Sequence, residues 1–289
     1  MKNKLYTGKV RNIYAHEDSD KLYIETNDRL SSFNKHICDL EGKGKILNLI
    51  SVYMFEKTRY IIPNHYISYN ENKMVVKKCT PFKIELVVRA YITGNTQTSL
   101  WTHYKNGIRN YCGIEFPDNL KKNQKLDFPV ITPITKRDDE DIPISKEDIV
   151  KNNYMTMEEC DFIYKKALEL FKYGEFIAKN AGFILVDTKY EFGKDNKGNI
   201  LLIDELHTCD SSRYWIKNTY KNNFENNLEP DKLDKDCIRD WVKNNCDPYK
   251  DKIPEIPDEL KNKTLESYQY FYNKIYSTEQ YKYFYEPLS

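Results

Sequence analysis

Features that would place the chain in a membrane or outside the cell are missing from its 289 residues. No apolar run approaches the ~20 residues that a transmembrane helix needs, and the mean hydropathy is −0.76. The amino-terminal stretch lacks the apolar segment that is typical of a signal peptide. We therefore expect a cytoplasmic protein without a membrane segment, and the length allows a large core and two lobes.

Charge of one sign is not in excess either, because 45 lysines and arginines meet 44 acidic residues. Such a balance gives no general attraction to nucleic acid or to a membrane surface, so any anion site must be local. The seven cysteines are scattered, without a C-x-x-C pair, which favours free thiols in a reducing compartment. The five histidines show no zinc-site spacing.

The densest chemistry follows an apolar run at Phe183–Val186. Asp187, Lys189 and Glu191 then alternate with other residues, at the spacing i, i+2 and i+4. In a strand, successive side chains point to opposite faces, so these three charges share one face. A solvated face of a hairpin is the alternative interpretation of the same alternation.

A return strand at Ile200–Ile203 completes a predicted β-hairpin. If its loop centres between Lys197 and Gly198, Glu191 lies opposite Asp204, with Cβ atoms about 4.5–5.5 Å apart. Two carboxylates at that distance repel each other unless a cation bridges them. Mg²⁺ prefers oxygen ligands and often uses one or two carboxylates together with phosphate oxygens, so we expect a metal pair here.

A short polar segment that follows the hairpin favours a site over a merely solvated face. Asp210–Arg213 adds two small hydroxyls and an arginine, whose planar fork suits bidentate anion binding.

Near the amino terminus, the residue pattern alternates over Tyr6–Tyr14 and predicts a strand. Leu22–Thr26 is predicted to be the strand that returns beside it. Gly8 would let the backbone approach a ligand closely, and Lys9 and Arg11 would share a face. A lone Gly-Lys is weak support for phosphate binding.

A second buried strand is predicted over Ile84–Gly94. Arg89 follows its apolar run, where an unpaired charge is expensive to bury. Glu85 would lie ~13 Å away along an extended strand, so a ligand anion is the more interesting partner.

Periodic apolar residues predict helices, and a short apolar run predicts one further strand at Met74–Lys78. The predicted helices are Ile46–Thr58, Met157–Lys179, Leu233–Trp241 and Glu259–Tyr276.

Several strings resemble the SAICAR synthetase family. The signature region is matched by VDTKYEFG (Val186–Gly193) and by DELHTCDSSRYW (Asp204–Trp215). GKVRNIY resembles the family's G-K-V-R-D-I-Y opening, and NDRLSSFN resembles T-D-R-I-S-A-F-D. Thr96–Trp101 is similar to the T-x-T-S-L-W insert of the plant-type branch.

The resemblance implies an α+β, two-lobe SAICAR synthase-like fold, with antiparallel sheets, flanking helices and an ATP cleft between the lobes. Residues 1–80 would form a β-rich lobe that covers ATP, and residues 81–289 a larger catalytic lobe with a helical tail. The implied reaction joins L-aspartate to the carboxylate of CAIR, an imidazole ribonucleotide, giving SAICAR, ADP and phosphate through an acyl phosphate.

The resemblance also implies residue roles. Glu191 and Asp204 would hold Mg²⁺. Residues expected near ATP are Gly8, Lys9, Arg11, Lys77, Cys79 and Lys136. Residues expected to position the imidazole substrate are Arg89, Asp187, Lys189 and Arg213. Further substrate contacts are expected from Asn95, Ser211, Ser212 and Arg239.

Four positions depart from the family pattern: Asn34, Ala90, Asn95 and Cys209. Two alternatives stay open: a small-molecule kinase of related architecture, and a non-catalytic nucleotide-binding relative, which these four departures motivate. The metal pair and the alternating charged face argue against the second. The expected partners are small molecules, and the sequence predicts no oligomeric state.

Overall fold

The fold is given by a computed structural model, which describes residues 3–33, 35–96, 98–136, 142–233 and 235–277. The departure from the family pattern at Asn34 lies outside these ranges.

The first 80 residues contribute a five-stranded antiparallel sheet, a two-stranded hairpin and one helix. In chain order the elements are β1 (Lys4–Thr7), β2 (Arg11–Ala15), β3 (Lys21–Thr26), β4 (Arg29–Ser32), β5 (Lys35–Asp39), α1 (Lys43–Thr58), β6 (Tyr66–Asn70) and β7 (Lys73–Lys77). The sheet order is β1-β2-β3-β7-β6, and β4 pairs only with β5. Helix α1 contains the helix that the apolar spacing predicts over Ile46–Thr58.

The rest of the chain is built on a second antiparallel sheet, of the order β12-β11-β8-β13-β14, to which β15 adds by pairing with β13. Its elements are β8 (Thr80–Ile92), α2 (Leu100–Lys105), β9 (Asn110–Tyr111), β10 (Ile114–Glu115), β11 (Gln124–Thr135), β12 (Ile142–Pro143), α3 (Lys146–Lys151), α4 (Met157–Asn180), β13 (Phe183–Lys194), β14 (Ile200–Ile203), β15 (Ser212–Ile216), α5 (Lys217–Glu225), α6 (Asp236–Asn245) and α7 (Asp258–Ser277). Antiparallel sheets with flanking helices confirm the α+β class.

Helix α4 shows how local sequence positions the central sheet. Thr156 and Glu159 form a capping box, in which each side chain accepts a hydrogen bond from the other's backbone N–H, at 3.2 and 2.9 Å. The apolar stripe of the helix, which includes Ile163, Leu170 and Phe171, is fully buried and packs against β13. The predicted helix over Met157–Lys179 is confirmed, as is the final helix, which the structure places at Asp258–Ser277.

The single strand predicted over Tyr6–Tyr14 is wrong. The chain folds back after Thr7, so that β1 and β2 pair with each other, and the N–H of Gly8 donates to the carbonyl of Arg11 at 2.7 Å. A Cβ on Gly8 would lie 3.0 Å from that same oxygen, so the tight turn favours glycine. Lys9 therefore lies in a turn rather than on the strand face that carries Arg11.

The predicted hairpin of β13 and β14 is confirmed, but its register is one residue away from the prediction. Glu191 is paired with Ile203, and not with Asp204. The reason is the loop, in which the carboxylate of Asp195 accepts hydrogen bonds from the backbone N–H groups of Lys197 and Asn199, both at 2.9 Å. This Asx-type turn centres the five-residue loop on Lys197.

Two parts of the chain that are far apart in sequence meet in a small hydrophobic cluster. Leu30 and Leu40, from the β4–β5 hairpin and its end, pack with Ile238 and Val242 of α6 and with Ile256. Both elements also supply residues to the large cavity described next. The cluster therefore fixes the relative position of two walls of that cavity.

Candidate functional site

A cavity of about 770 Å³ lies between the amino-terminal sheet and the charged face of β8 and β13. Its walls come from the Gly8 turn, β3, β7, β8, β13, the 203–213 segment and the start of α6. Asp187, Lys189 and Glu191 all line it, which confirms that the alternating charges share one face.

One end of the cavity holds an excess of carboxylates. Its acidic residues are Glu85, Glu191, Asp204 and Glu205, and its cations are Arg11, Lys136 and Lys189. Lys136 contacts Glu191 at 2.5 Å, and Lys189 contacts Glu85 at 3.0 Å. Four carboxylates stand here beside the three cations that pair with them. We call this the acidic end.

The pKa values show which of these carboxyl groups is least stabilised as an anion. Burial, together with the nearby carboxylates of Asp204 and Glu85, raises the pKa of Glu191 to about 8. Burial would also raise the pKa of Glu85, but Lys189 and Lys136 outweigh it and lower the pKa to about 2. Glu191 is therefore the carboxylate that the protein's own cations neutralise least. Among the described residues, no three acidic, histidine or cysteine side chains are placed to hold a metal ion by themselves, so a cation here would also need oxygen atoms from a ligand such as a phosphate.

Asp204 reaches the acidic end from an unusual backbone position. It lies just beyond β14 with a φ of +67°, a left-handed conformation that a non-glycine residue adopts only at a cost. A backbone hydrogen bond fixes the end of β14, since the N–H of His65 donates to the carbonyl of Leu202 at 3.0 Å. Arg11 bridges Asp204 and Glu205, at 3.0 and 2.6 Å.

The opposite end of the cavity carries an excess of cations, and we call it the basic end. Five cations and three carboxylates lie in its wall or directly behind it: Lys43, Arg89, Arg213, Lys235 and Arg239, and Asp187, Asp210 and Asp236. Five cations against three carboxylates leave two positive charges in excess, which matches a dianion such as a phosphate monoester. Gly94 and Ser99 pack closely at this end, because a Cβ on Gly94 would lie 2.4 Å from Ser99 Oγ and 3.3 Å from Arg213 Nη2.

Asp187 holds the two arginines of the basic end. Its Oδ2 accepts from Arg89 Nη1 at 3.2 Å and from Arg213 Nη1 at 2.5 Å. Arg89 and Asp187 are directly paired residues of neighbouring strands. The expectation that a ligand anion would be the main partner of Arg89 thus missed a protein partner on the adjacent strand. Arg213 also donates through Nε to Asp236 at 3.0 Å, rather than pairing with Asp210.

A buried ion pair lies behind the 208–213 segment. Lys43, at the start of α1, contacts Asp210 Oδ2 at 2.7 Å, and both side chains are almost fully buried. Tyr268 of α7 donates its hydroxyl to Asp210 Oδ1 at 2.9 Å. Lys43 and its neighbours outweigh the effect of burial and lower the pKa of Asp210 well below its usual range. Two helices thereby anchor the segment that carries Ser211 and Ser212.

Fifteen of the sixteen residues predicted for the site line the cavity: Gly8, Lys9, Arg11, Lys77, Cys79, Arg89, Lys136, Asp187, Lys189, Glu191, Asp204, Ser211, Ser212, Arg213 and Arg239. Asn95 does not line it. Its side-chain amide donates to Asp240 of α6 at 3.2 Å.

Sequence reasoning missed several residues of the site, among them Glu85, Glu205, Asp210 and Lys235. Glu85 had a usable signal, because it lies four positions before Arg89 in a strand and so shares its face. Glu205 follows Asp204 directly, but no pattern shows that Arg11 bridges the two. Lys235 stands in a run of charged residues that gives no indication of a cavity wall.

Sequence comparison identifies the family. The SAICAR synthetase family model matches residues 4–256. The chain is 48% identical over 270 residues to the chloroplastic phosphoribosylaminoimidazole-succinocarboxamide synthase of Arabidopsis thaliana, covering 93% of this chain and 65% of that protein's length. It is 50% identical over 259 residues to the enzyme of the same name from Legionella pneumophila (strain Paris), covering 89% and 82%.

Solved structures agree with the sequence comparison. The Saccharomyces cerevisiae SAICAR synthase complexed with SAICAR superposes with a TM-score of 0.79 at 26% identity, covering 96% of this chain and 95% of the other. A type-2 SAICAR synthetase in complex with ADP gives a TM-score of 0.71 at 26% identity, covering 94% and 97%. By sequence, fold and the residues that line its cavity, the chain belongs to the SAICAR synthetase family.

Proposed function

We propose that this chain uses its cavity to join L-aspartate to the carboxylate of CAIR at the expense of ATP, giving SAICAR, ADP and phosphate. Family membership supports this reaction. The observation that carries it is the separation of charge along one face of β8 and β13. The acidic end suits a metal-bound triphosphate, and the basic end suits the phosphate of a ribonucleotide.

The chemistry requires activation of a carboxylate, because the carboxylate itself has a poor leaving group. A carboxylate oxygen of CAIR attacks the γ-phosphorus of ATP, the bond to the bridging oxygen breaks, and ADP leaves. The amine of L-aspartate then attacks the acyl carbon and loses a proton as an amide forms. Inorganic phosphate leaves with the transferred oxygen. Positioning and charge neutralisation are the protein's main contributions to such transfers.

At the acidic end, Glu191 and Asp204 would hold Mg²⁺. When bound there, the ion would neutralise charge on the γ-phosphate. Lys136 already lies on Glu191, and Arg11 on Asp204, so both cations are placed to turn towards phosphate oxygens. Gly8 and Lys9 belong to the turn between β1 and β2, and Lys77 and Cys79, which also line the cavity, would contact the adenine.

At the basic end, Arg89 and Arg213 would hold the anionic groups of CAIR in an orientation that Asp187 sets. Lys189, which pairs with Glu85 at the acidic end, would neutralise the carboxylate that is phosphorylated. Ser211, Ser212 and Arg239 would contact the ribose phosphate. Asn95 remains a proposed contact of the substrate, although its amide is engaged by Asp240.

We also propose that the chain divides near residue 80, between β7 and β8, into the ATP-covering lobe and the catalytic lobe. In the part of the chain that the structure describes, no helix is long and apolar enough to cross a membrane. The cytoplasmic location stays a prediction.

The test is the release of ADP by the purified chain with ATP, Mg²⁺ and CAIR, with and without L-aspartate. We expect steady turnover only when L-aspartate is present, with one SAICAR formed for each ADP. ADP release that requires a hydroxyl acceptor and not L-aspartate would instead assign the chain as a small-molecule kinase. No turnover with any of these substrates would support a non-catalytic nucleotide-binding protein.

A further inference from the structure

Lys235 is a cation of the cavity wall, and the described residues provide no acceptor that hydrogen-bonds or ion-pairs with its side chain. It lies one residue before α6, and its side chain lines the cavity. Six further cations of the cavity wall are paired with carboxylates: Arg11, Arg89, Lys136, Lys189, Arg213 and Arg239. Lys235 therefore differs from them in having a binding capacity that the protein itself does not use.

Asp210 is the carboxylate that acts most strongly on Lys235, and it is engaged elsewhere. It forms an ion pair with Lys43 at 2.7 Å and accepts a hydrogen bond from Tyr268 at 2.9 Å. Burial lowers the pKa of Lys235 to about 8, Arg239 and Lys43 act in the same direction, and Asp210 only partly opposes them. An ammonium in such surroundings is costly to keep unpaired, and a bound carboxylate would supply the missing charge-assisted hydrogen bond.

The other anionic groups of the reaction already have cations at the two ends of the cavity. The triphosphate belongs with the acidic end, and the ribose phosphate belongs with Arg89 and Arg213. L-aspartate brings two further carboxylates. Lys189 and Lys235 both line the cavity, and Lys189 contributes to lowering the pKa of Lys235, so the two ammonium groups lie near enough to interact. Ser32 accepts from Arg239 Nε at 2.8 Å, and its own O–H can donate to a ligand.

We propose that Lys235 forms the subsite that binds a carboxylate of L-aspartate. The inference rests on the proposed function, since it names the residue that recognises the third substrate. It assigns Lys235 to the amide-forming half of the reaction and leaves phosphorylation of CAIR to other residues.

The test compares the full chain with Lys235→Met, which keeps the length of the side chain and removes its charge. We expect KM for L-aspartate to rise about 10-fold or more, while KM for CAIR and for ATP stay within about twofold. Hydroxylamine, a nucleophile without a carboxylate, should trap the acyl phosphate as a hydroxamate equally fast in both proteins. Lys235→Arg should recover part of the affinity for L-aspartate.

Lys232→Met is the matched control, because Lys232 lies on the same segment but pairs with Asp240 at 2.7 Å outside the cavity lining. Its KM for L-aspartate should stay unchanged. The proposal is overturned if Lys235→Met raises KM for CAIR and slows hydroxamate formation, since Lys235 would then bind the ribose phosphate. Unchanged kinetics would overturn it as well.

Calorimetric titration of L-aspartate into the proteins with ADP and CAIR present separates this inference from the proposed function. Weaker binding by Lys235→Met than by the unmodified chain supports the subsite, even if neither protein turns over. Equal binding, or no binding to the unmodified chain, overturns the subsite even if SAICAR is formed.

Discussion

Glu191 is paired with Ile203 across the hairpin of β13 and β14, and Asp204 lies one residue beyond that pair. The two carboxylates are therefore not directly opposed residues of a ladder. Asp204 has a left-handed backbone conformation, and its side chain pairs with Arg11. Asp204 still raises the pKa of Glu191, so the two act as one electrostatic unit.

We predict that Glu191→Gln leaves the ligand-free fold as stable as the unmodified chain or slightly more so. The substitution removes a carboxylate that its surroundings disfavour, and it keeps the shape of the side chain. Mg²⁺-dependent turnover should fall at least ~100-fold, by analogy with the loss of one preorganised electrostatic group. Thermal melting of the ligand-free protein and ADP release measure the two effects.

Asp204→Asn is the informative comparison. This substitution should lower turnover by a similar factor. It should also lower the free energy of unfolding by about 1.5–3 kcal/mol, because it removes a charged hydrogen-bond acceptor of Arg11. If Glu191→Gln unfolds easily but keeps its turnover per folded molecule, then Glu191 and Asp204 have a structural role and the metal assignment is wrong.

Stability should also depend on pH through Glu191. Its pKa is raised in the folded state from 4.5 to about 8, so the folded protein binds a proton that the unfolded chain releases. The stability that this proton contributes is complete below pH 4.5 and is lost as the pH rises through 8. The melting temperature of Glu191→Gln should therefore rise relative to the unmodified chain between pH 5.5 and 8.5. A constant difference over that range would show that Glu191 is ionised throughout.

Arg213→Lys should impair CAIR binding although it keeps the positive charge. Arg213 donates to Asp187 through Nη1 and to Asp236 through Nε, and a lysine cannot serve both carboxylates with one compact ammonium. We expect kcat/KM for CAIR to fall about 10–100-fold while ATP binding is unchanged. Arg59→Lys, at an exposed arginine over the Tyr66 ring, should have neither effect.

Tyr268→Phe tests whether α7 supports the cavity from behind. The ring would keep its packing in the core, but Asp210 would lose the hydroxyl that donates to it at 2.9 Å. A hydrogen bond to a charged group contributes about 1.5–3 kcal/mol, so chemical denaturation should show a loss of that size. Tyr270→Phe, on the same helix but exposed, is the control. Equal stability of the two variants would exclude an anchoring role for Tyr268.

Asn95→Ser should be tolerated. The residue lies outside the cavity lining, and its partly exposed contact with Asp240 is worth less than about 1 kcal/mol. KM for CAIR should then change by less than about fivefold, and a tighter KM would agree with the serine of the family pattern. A large loss of kcat would give Asn95 a role of its own in the reaction.

Local patterns in the sequence predicted those features that depend only on local geometry. Alternation along one strand sufficed to place Asp187, Lys189 and Glu191 on one face, and the helical period sufficed for α4. The Gly8 turn and the hairpin register were missed because each depends on backbone hydrogen bonds within a loop, which composition does not determine.

Contacts between distant segments could not be predicted either. Arg89 and Asp187 are separated by 98 positions, and no spacing rule connects them. The surroundings of Lys43 and Lys235 could not be predicted either, since they are created only when α1, α6 and the 208–213 segment come together.

The hydrophobic cluster shared by the β4–β5 hairpin and α6 has a consequence for folding kinetics. Ser32 and Arg239, which meet beside that cluster, are separated by 207 positions. Contacts between such distant segments form late, because the entropy of closing the loop is lost before packing compensates for it. During synthesis the cavity wall that Lys235 and Arg239 complete can form only after α6 has left the ribosome. Binding competence should therefore appear in refolding after most of the helix and sheet content has been regained.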